Sequence, residues 1–259
     1  MNQFFIDSSN VAGDRIILTG DDVNHICNVL KLRNGEMVQL VNTSNSLTYY
    51  CSIMEQNKDA VICLITDVQS DSTELPVDII IYQGLPKGDK LEFVIQKAVE
   101  LGAVKIVPVS MKRSVMKIEP KKMDSKVNRW NAIAASAASQ SKRGIIPEVS
   151  AVEPYKLAIT SASKECDIIL VPYELAKGMD ETRQIMETIR VNVHKAISES
   201  ENRRYQIGIF IGPEGGFDQT EIDAAIEEGA KIITLGKRIL RTETAPLAIL
   251  SWLTYLLDE

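Results

Sequence analysis

The stretch 207–247 constrains the fold more than any other part of the chain. It begins with IGIFI at 207–211, an apolar and β-branched run that is typical of a strand buried on both faces of a sheet. The glycine loop follows at 212–216, GPEGG, where three glycines permit close backbone approach to a ligand. Asp218 and Glu221 then have the spacing of a capping box, which predicts a helix.

A second loop repeats this arrangement further along the chain. The predicted helix ends at Gly229, and the strand after it includes 232–235. The RTET loop, residues 236–244, leads to Pro246 in the first turn of the last helix. We therefore expect two loops at the same ends of two neighbouring parallel strands, which is where ligands bind in open α/β sheets.

The charge of the glycine loop limits its ligand. A phosphate-binding loop offers backbone N–H groups and usually a lysine, whereas this loop has Glu214 at its centre. A carboxylate there would repel a pyrophosphate unless a metal intervened, but it suits a cationic ligand or one rich in hydroxyl and amino donors. S-adenosylmethionine has all of these groups. The alternative is that GPEGG is only a tight turn between strand and helix.

The two loops together are far more specific than either alone. GPEGG followed by LGKRILRTETAPLA resembles the ribosomal RNA small-subunit methyltransferase E family, which belongs to the SPOUT, or α/β-knot, class and forms N3-methyluridine. The similarity extends to LPKGDKLEFVIQKAVELGAVKIVPVSMKRSV at 85–115, RWNAIAASAASQSKRGIIPEV at 129–149 and HICNVLKLRNGE at 25–36. A departure is the Lys-Leu-Arg order at 31–33, where the family often has arginine first.

The resemblance implies an α/β fold with two domains. Residues 1–70 would form a small PUA-like, RNA-binding β-barrel, 71–76 a linker, and 77–259 a SPOUT methyltransferase domain with a knotted parallel sheet and helices on both faces. The many short hydrophobic runs of the N-terminal part agree with a barrel. From periodicity alone we would expect an unknotted doubly wound sheet, because knots are very rare.

Capping boxes predict two further helix starts. Thr19 and Asp22 have the required spacing, and Val23, Ile26, Cys27 and Leu30 share one face of the helix that would follow. Asp89 and Glu92 have the same spacing at the start of an amphipathic segment. ESENRRY at 199–205 is interpreted as a solvated connection.

The resemblance also implies S-adenosylmethionine as the cofactor and supplies candidate residues for it. The loop after the strand at 166–174 would form a third wall of the pocket. The cofactor candidates are Tyr173, Glu174, Ile211, Gly212, Pro213, Glu214, Gly215, Gly216, Leu235, Gly236, Ile239, Leu240, Arg241, Thr244 and Ala245.

Catalysis at uridine N3 requires loss of its proton, so a site needs a proton acceptor or a cation that stabilises the resulting anion. We hypothesise that Arg241 stabilises the anion or grips a phosphate, and that Glu243 orients Arg241 or accepts the proton. Equally, both residues could simply brace the loop, with Thr244 capping the last helix.

The charge distribution points to an RNA partner despite a net charge of −6. Residues 1–75 contain 4 basic and 10 acidic residues, whereas 84–143 contain 13 basic and 5 acidic ones. A basic segment in an acidic protein is a better signal for RNA than the isoelectric point, although solvated helix faces would look the same. The RNA-binding candidates are Arg15, His25, Lys31, Arg33, Lys87, Lys112, Arg113, Gln140 and Arg143.

Other patterns exclude several classes of protein. The 4 cysteines have no CxxC spacing and there are only 2 histidines, so we expect reduced thiols and no metal site. The N-terminus lacks the pattern of a signal peptide, and 245–257 is too short for a bilayer, which needs about 20 apolar residues. These observations predict a cytoplasmic protein without a membrane partner.

The last helix is apolar on nearly every side, so it should be deep in the core or packed against a second subunit. The resemblance favours the second case, a homodimer. It also implies small-subunit ribosomal RNA as the substrate, within an assembled 30S particle.

Two other functions fit the residues. One is a nucleotide-binding enzyme on a similar sheet, in which Glu214 would bind a metal ion. The other is a non-catalytic RNA- or ribosome-binding factor, which would bind RNA in a salt-sensitive way without affinity for the cofactor.

Overall fold

The computed structural model describes residues 1–70, 72–176, 178–199 and 203–258. Asp71 of the predicted linker and residues 200–202 of the predicted solvated connection lie outside this part of the chain. The chain divides into two units. The first comprises Met1–Glu74 and Ala138–Ile146, and the second comprises Leu75–Ala137 and Pro147–Glu259.

The first unit is built on a six-stranded sheet, with strand order β1-β4-β5-β6-β3-β2. Buried and exposed residues alternate along the strands, so one face of each strand packs on the core. In β3, for example, Ile16 and Leu18 point inward. Pairing is antiparallel except between β1 and β4. The strands are β1 (Asn2–Ile6), β2 (Val11–Ala12), β3 (Arg15–Thr19), β4 (Met37–Asn42), β5 (Thr48–Gln56) and β6 (Ala60–Gln69).

The helix of the first unit begins differently from the prediction. Helix α1 (Asp21–Asn24) has Gly20 at its N-cap, with φ +70°, and no side chain caps it. The Thr19–Asp22 capping box is therefore wrong, because a glycine takes up the left-handed conformation at the point where the chain turns into the helix. A π-helical turn, His25–Val29, continues α1. Of the predicted apolar face, Val23 and Ile26 are buried.

The second unit contains a sheet of seven strands that are all parallel, in the order β10-β8-β7-β12-β11-β13, with β9 beside β8. The predicted α/β class with a parallel sheet is confirmed. The strands are β7 (Val77–Gly84), β8 (Ala103–Ser110), β9 (Glu148–Val149), β10 (Glu153–Pro154), β11 (Ile168–Pro172), β12 (Tyr205–Ile211) and β13 (Lys231–Ile233). The helices that follow α1 are α2 (Lys90–Glu100), α3 (Pro120–Gln140), α4 (Tyr155–Glu165), α5 (Met179–Ser198), α6 (Gln219–Glu227) and α7 (Ala245–Leu257).

Helices cover both faces of this sheet, which explains its continuous apolar strands. On one face Tyr82 and Phe210 stack with their ring centroids 4.2 Å apart, in a cluster that includes residues of α4 and α6. The residues next to them in these strands, such as Ile81 and Ile209, point to the opposite face of the sheet and are also fully buried. Helices α2, α5 and α7 pack together on that opposite face. No helix in the described ranges is both long enough and apolar enough to cross a membrane.

Strand order corrects the expected relation between the two loops. Strands β12 and β13 are not neighbours, because β11 lies between them and pairs with both. The loop that follows β11 therefore leaves the same edge of the sheet as the glycine loop and the RTET loop. The sequence could not show this, since the order of parallel strands depends on contacts between distant segments. Strand β13 also ends at Ile233, so Leu235 belongs to the connection after it.

Candidate active site

A crevice opens where β11, β12 and β13 end. Its larger compartment has a volume of about 390 Å³, in the range of roughly 300–1,000 Å³ that is usual for small-molecule sites. A smaller compartment of about 90 Å³ adjoins it and shares Pro172, Glu174, Ile239, Leu240 and Ala245 with it. All but one of the predicted cofactor residues line these compartments. The exception is Thr244, which is exposed at the start of α7.

The glycine loop has the predicted local structure. The Asp218 side chain accepts from the Thr220 N–H, and the Glu221 carboxylate accepts from the Asp218 N–H, so the capping box at the start of α6 is confirmed. The loop also lies very close to β7, because a Cβ on Gly84 would be 2.7 Å from the nitrogen of Pro213. Only glycine fits at this approach.

Thr242 fastens the RTET loop to the glycine loop. Its hydroxyl donates to the Gly212 carbonyl at 2.7 Å and accepts from Gln83 Nε2 at 2.9 Å. Both Gln83 and Thr242 are buried. The sequence analysis missed both residues, since Gln83 reads as part of an apolar strand and Thr242 as one polar residue in a polar loop.

Lys90, in the first turn of α2, is a third residue of the site that was not predicted from the sequence. Its Nζ atom lies 2.9 Å from Glu214 Oε1 and 3.3 Å from Glu243 Oε2. The Lys87 N–H also donates to the Glu214 carboxylate, at 3.1 Å. The predicted capping box at this helix is wrong, because Asp89 occupies the N-cap but its side chain makes no capping hydrogen bond. The start of α2 instead holds a carboxylate from the glycine loop.

These contacts change the acidity of both partners. The hydrogen bond to Glu214 raises the pKa of Lys90 above its ordinary value, with smaller contributions from Glu243. Burial alone would raise the pKa of Glu214, but hydrogen bonds from Lys90 and the Lys87 N–H outweigh it and lower the pKa. Glu214 is thus an ionised, paired carboxylate and not a free anion that faces the crevice.

Glu174 is the carboxylate of the crevice that has no partner among the described residues. It follows β11, lines both compartments and is exposed. A Cβ on Gly216, whose φ is +68°, would be 3.1 Å from Glu174 Oε1. Glu174 makes no hydrogen bond or ion pair with any residue that the structure describes. Beside it, Tyr173 meets the ring of Phe217 edge-on with centroids 6.3 Å apart, which fixes this wall of the crevice.

The two catalytic candidates have different surroundings. Arg241 is exposed, and its guanidinium makes no hydrogen bond or ion pair in the described ranges, so it is available to a ligand. Glu243 pairs with Lys90 and not with Arg241. Thr244 occupies the N-cap of α7 but makes no capping hydrogen bond, so that predicted cap is wrong, whereas the predicted Pro246 lies in the first turn.

The basic residues after β8 brace the glycine loop. Lys112 Nζ lies 3.2 Å from Asp218 Oδ1, and Arg113 Nη2 lies 3.5 Å from Asp218 Oδ2. Arg113 also donates to the Gly215 carbonyl at 3.3 Å. Hydrogen bonds from Thr220 and then Lys112 lower the pKa of Asp218 to about 2. Lys112 and Arg113 remain about half exposed, as does the side chain of Arg15 in the first unit.

The remaining RNA candidates differ in exposure. His25, Lys31, Arg33, Lys87 and Gln140 are exposed, as an RNA contact requires. Arg143 is not, since it is only 3% exposed and its guanidinium pairs with Glu74, with Nε at 2.8 Å from Oε1. The burial of Arg143 therefore argues against the predicted RNA contact. This pairing could not be predicted, because the glutamate lies 69 positions earlier in the chain.

Two family models match the chain. The RNA methyltransferase domain matches residues 73–254, and the RNA methyltransferase PUA domain matches residues 18–66. The PUA match confirms the predicted nature of the N-terminal domain. These residues cover most of the chain, so the enzyme class is RNA methyltransferase.

Proteins with similar sequences or structures support both family matches. The ribosomal RNA small subunit methyltransferase E of Bacillus subtilis (strain 168) is 36% identical over 238 residues, which cover 92% of this chain and 89% of that protein. A crystal structure of the same enzyme from Neisseria gonorrhoeae, bound to S-adenosyl methionine, has 28% identity and a TM-score of 0.81, and the match covers 99% of this chain and 98% of that one. A putative methyltransferase from Legionella pneumophila, in complex with the same cofactor, has 28% identity and a TM-score of 0.78 over 98% of this chain and 96% of that one. The chain belongs to the ribosomal RNA small-subunit methyltransferase E family.

Proposed function

We propose that this protein transfers a methyl group from S-adenosylmethionine to N3 of a uridine in small-subunit (16S) ribosomal RNA. The observation that carries the proposal is the crevice itself. It is built from three loops at the ends of parallel strands, it presents a carboxylate that has no partner in the described ranges, and the chain's relative from Neisseria gonorrhoeae binds S-adenosyl methionine. In an RNA methyltransferase, a crevice of this kind is suited to the methyl donor.

The chemistry of the walls supports a cationic nucleoside over a polyphosphate. Lys90 neutralises much of the charge of Glu214 and Glu243, while Glu174, which has no partner among the residues that the structure describes, can attract the sulfonium or ammonium group. In our proposal the adenosine part lies against Leu235, Ile239 and Leu240 and is held by backbone groups of the glycine and RTET loops. A polyphosphate would meet a carboxylate at Glu174 instead of a cation.

Arg241 is the residue that we assign to the reaction. Methyl transfer breaks the bond between sulfur and the methyl carbon, forms a bond from that carbon to N3, and releases the N3 proton and S-adenosylhomocysteine. The uridine anion carries charge on O2 and O4, and a guanidinium without another partner can stabilise it. The reacting atoms must be held in line, about 3–3.5 Å apart. Glu243 is assigned a structural role, because it is paired with Lys90.

A homodimer completes the proposal. One face of α7 is buried, but Tyr255 on its other side is 91% exposed. Trp252, Tyr255 and Leu256 form an apolar groove with Met179 and Met186 of α5, with a volume of about 280 Å³. Large apolar side chains gathered in one exposed groove are typical of a surface that a partner covers.

Binding and activity can be tested separately. Calorimetry should detect binding of S-adenosylmethionine and S-adenosylhomocysteine but not of ATP. With a labelled methyl donor, label should enter 30S subunits in preference to bare RNA, and digestion should release 3-methyluridine. Label in another nucleoside would contradict the proposed position, and RNA binding without cofactor binding would favour a non-catalytic factor.

A further inference from the structure

Lys90 connects two of the three loops that form the crevice. It projects from α2, and its Nζ atom contacts Glu214 of the glycine loop at 2.9 Å and Glu243 of the RTET loop at 3.3 Å. These carboxylates are 29 positions apart in the chain, and each belongs to a loop after a different strand. An ammonium group has three donors on a compact charge, so it can pair with two carboxylates at once.

The three charged side chains are partly buried, so the two carboxylates need the cation of Lys90 to lie close together. The side chains of Lys90, Glu214 and Glu243 are 32%, 32% and 20% exposed, so water screens their charges only in part. Glu243 Oε2 is buried and makes no well-aligned hydrogen bond within the described ranges, so the ion pair with Lys90 is what offsets its burial. Without Lys90, two carboxylates of like charge would lie close together with no cation between them.

We propose that Lys90 is a positioning residue that holds the glycine loop and the RTET loop at the separation that the cofactor requires. The inference rests on the proposed function for the identity of that cofactor. Lys90 acts through Glu214 and Glu243 and does not itself take part in methyl transfer. Its removal should therefore weaken cofactor binding much more than it slows the chemical step at saturating cofactor.

The test compares two lysines of the same helix. Lys97 is 33% exposed and pairs with Glu100 within α2, so Lys97→Met removes a similar ion pair that touches neither loop. In full-length protein, Lys90→Met should raise the Kd for S-adenosylhomocysteine and the KM for S-adenosylmethionine by about tenfold, a coupling typical of one ion-pair network. Lys97→Met should leave both constants within about twofold. Lys90→Arg, which keeps the charge, should retain most of the affinity.

A mutant cycle separates an indirect role from direct contact with the ligand. If Lys90 acts only through the two carboxylates, Lys90→Met should not weaken binding further in a Glu214→Gln/Glu243→Gln background. An equal loss in both backgrounds would overturn the proposal, and so would wild-type affinity in Lys90→Met. If Lys90→Met does not fold, Lys90→Gln, which also removes the charge, takes its place in both backgrounds. Failure of the wild-type protein to bind S-adenosylhomocysteine would instead contradict the proposed function.

Discussion

Glu174 is the residue at which charge should decide cofactor affinity. Glu214 of the glycine loop and Glu243 of the RTET loop already pair with Lys90, whereas Glu174 has no partner in the described chain. A carboxylate that is exposed to the crevice and unpaired gains more from a bound cation than from water. The sequence analysis assigned this role to Glu214, since the sequence alone could not reveal that a lysine 124 positions earlier would neutralise it.

Glu174→Gln should weaken binding of S-adenosylmethionine by about tenfold or more, the usual effect of losing one charge-assisted contact. The loss should be smaller for S-adenosylhomocysteine, because its thioether lacks the positive charge of the sulfonium. Calorimetry with both ligands measures the two effects. Since Glu174 is exposed, the free energy of unfolding should change by less than about 0.5 kcal/mol. Equal weakening of both ligands would show that Glu174 does not face the sulfonium.

Thr242 should matter through its hydroxyl alone. It is buried, donates to the Gly212 carbonyl and accepts from Gln83. Thr242→Val has the same shape but leaves both partners unsatisfied, so we expect about 2 kcal/mol of destabilisation in denaturant titrations. Thr242→Ser keeps the hydroxyl and should lose less than half of that. If the valine variant were as stable as the wild type, the hydroxyl would not be what fastens the RTET loop.

At the scale of the elements, local chemistry was predictable and distant pairing was not. Asp218 and Glu221 were identified because a capping box lies within four consecutive residues. The apolar run before the glycine loop identified β12 in the same way. Lys90, Gln83 and the position of β11 between β12 and β13 depend on segments far apart in the chain. Thr19 and Asp22 had the spacing of a cap, but Gly20 provided the turn instead.

The start of α6 should make stability depend on pH. Hydrogen bonds from Thr220 and Lys112 lower the folded-state pKa of Asp218 from 3.8 to about 2. Its contribution is therefore fully present above pH 3.8 and is lost as the pH falls towards 2. Asp218→Ala should lower Tm at pH 7 by about 2–4 °C, the usual effect of losing one helix cap in a protein of this size. The difference from wild type should shrink below pH 3.8.

A second substitution separates the cap from the charge. Asp218→Asn can still accept from the Thr220 N–H, because asparagine is as good an N-cap residue as aspartate. It should therefore lose less stability than Asp218→Ala at pH 7, and its difference from wild type should report only the ion pairs with Lys112 and Arg113. A pH-independent difference for Asp218→Ala would contradict the lowered pKa.

At the scale of the whole molecule, the groove between α5 and α7 predicts the state of assembly. Tyr255 is 91% exposed, so Tyr255→Glu should change the stability of a single chain by less than about 0.5 kcal/mol while it introduces a charge into the groove. We expect sedimentation equilibrium to give a dimer for the wild type and a monomer for this variant. Ile226→Glu is the matched control, because Ile226 is also exposed but lies on α6, outside the groove, and it should remain dimeric. Burying an unpaired charge under a partner subunit is costly. An unchanged dimer in Tyr255→Glu would therefore place the interface elsewhere on the surface.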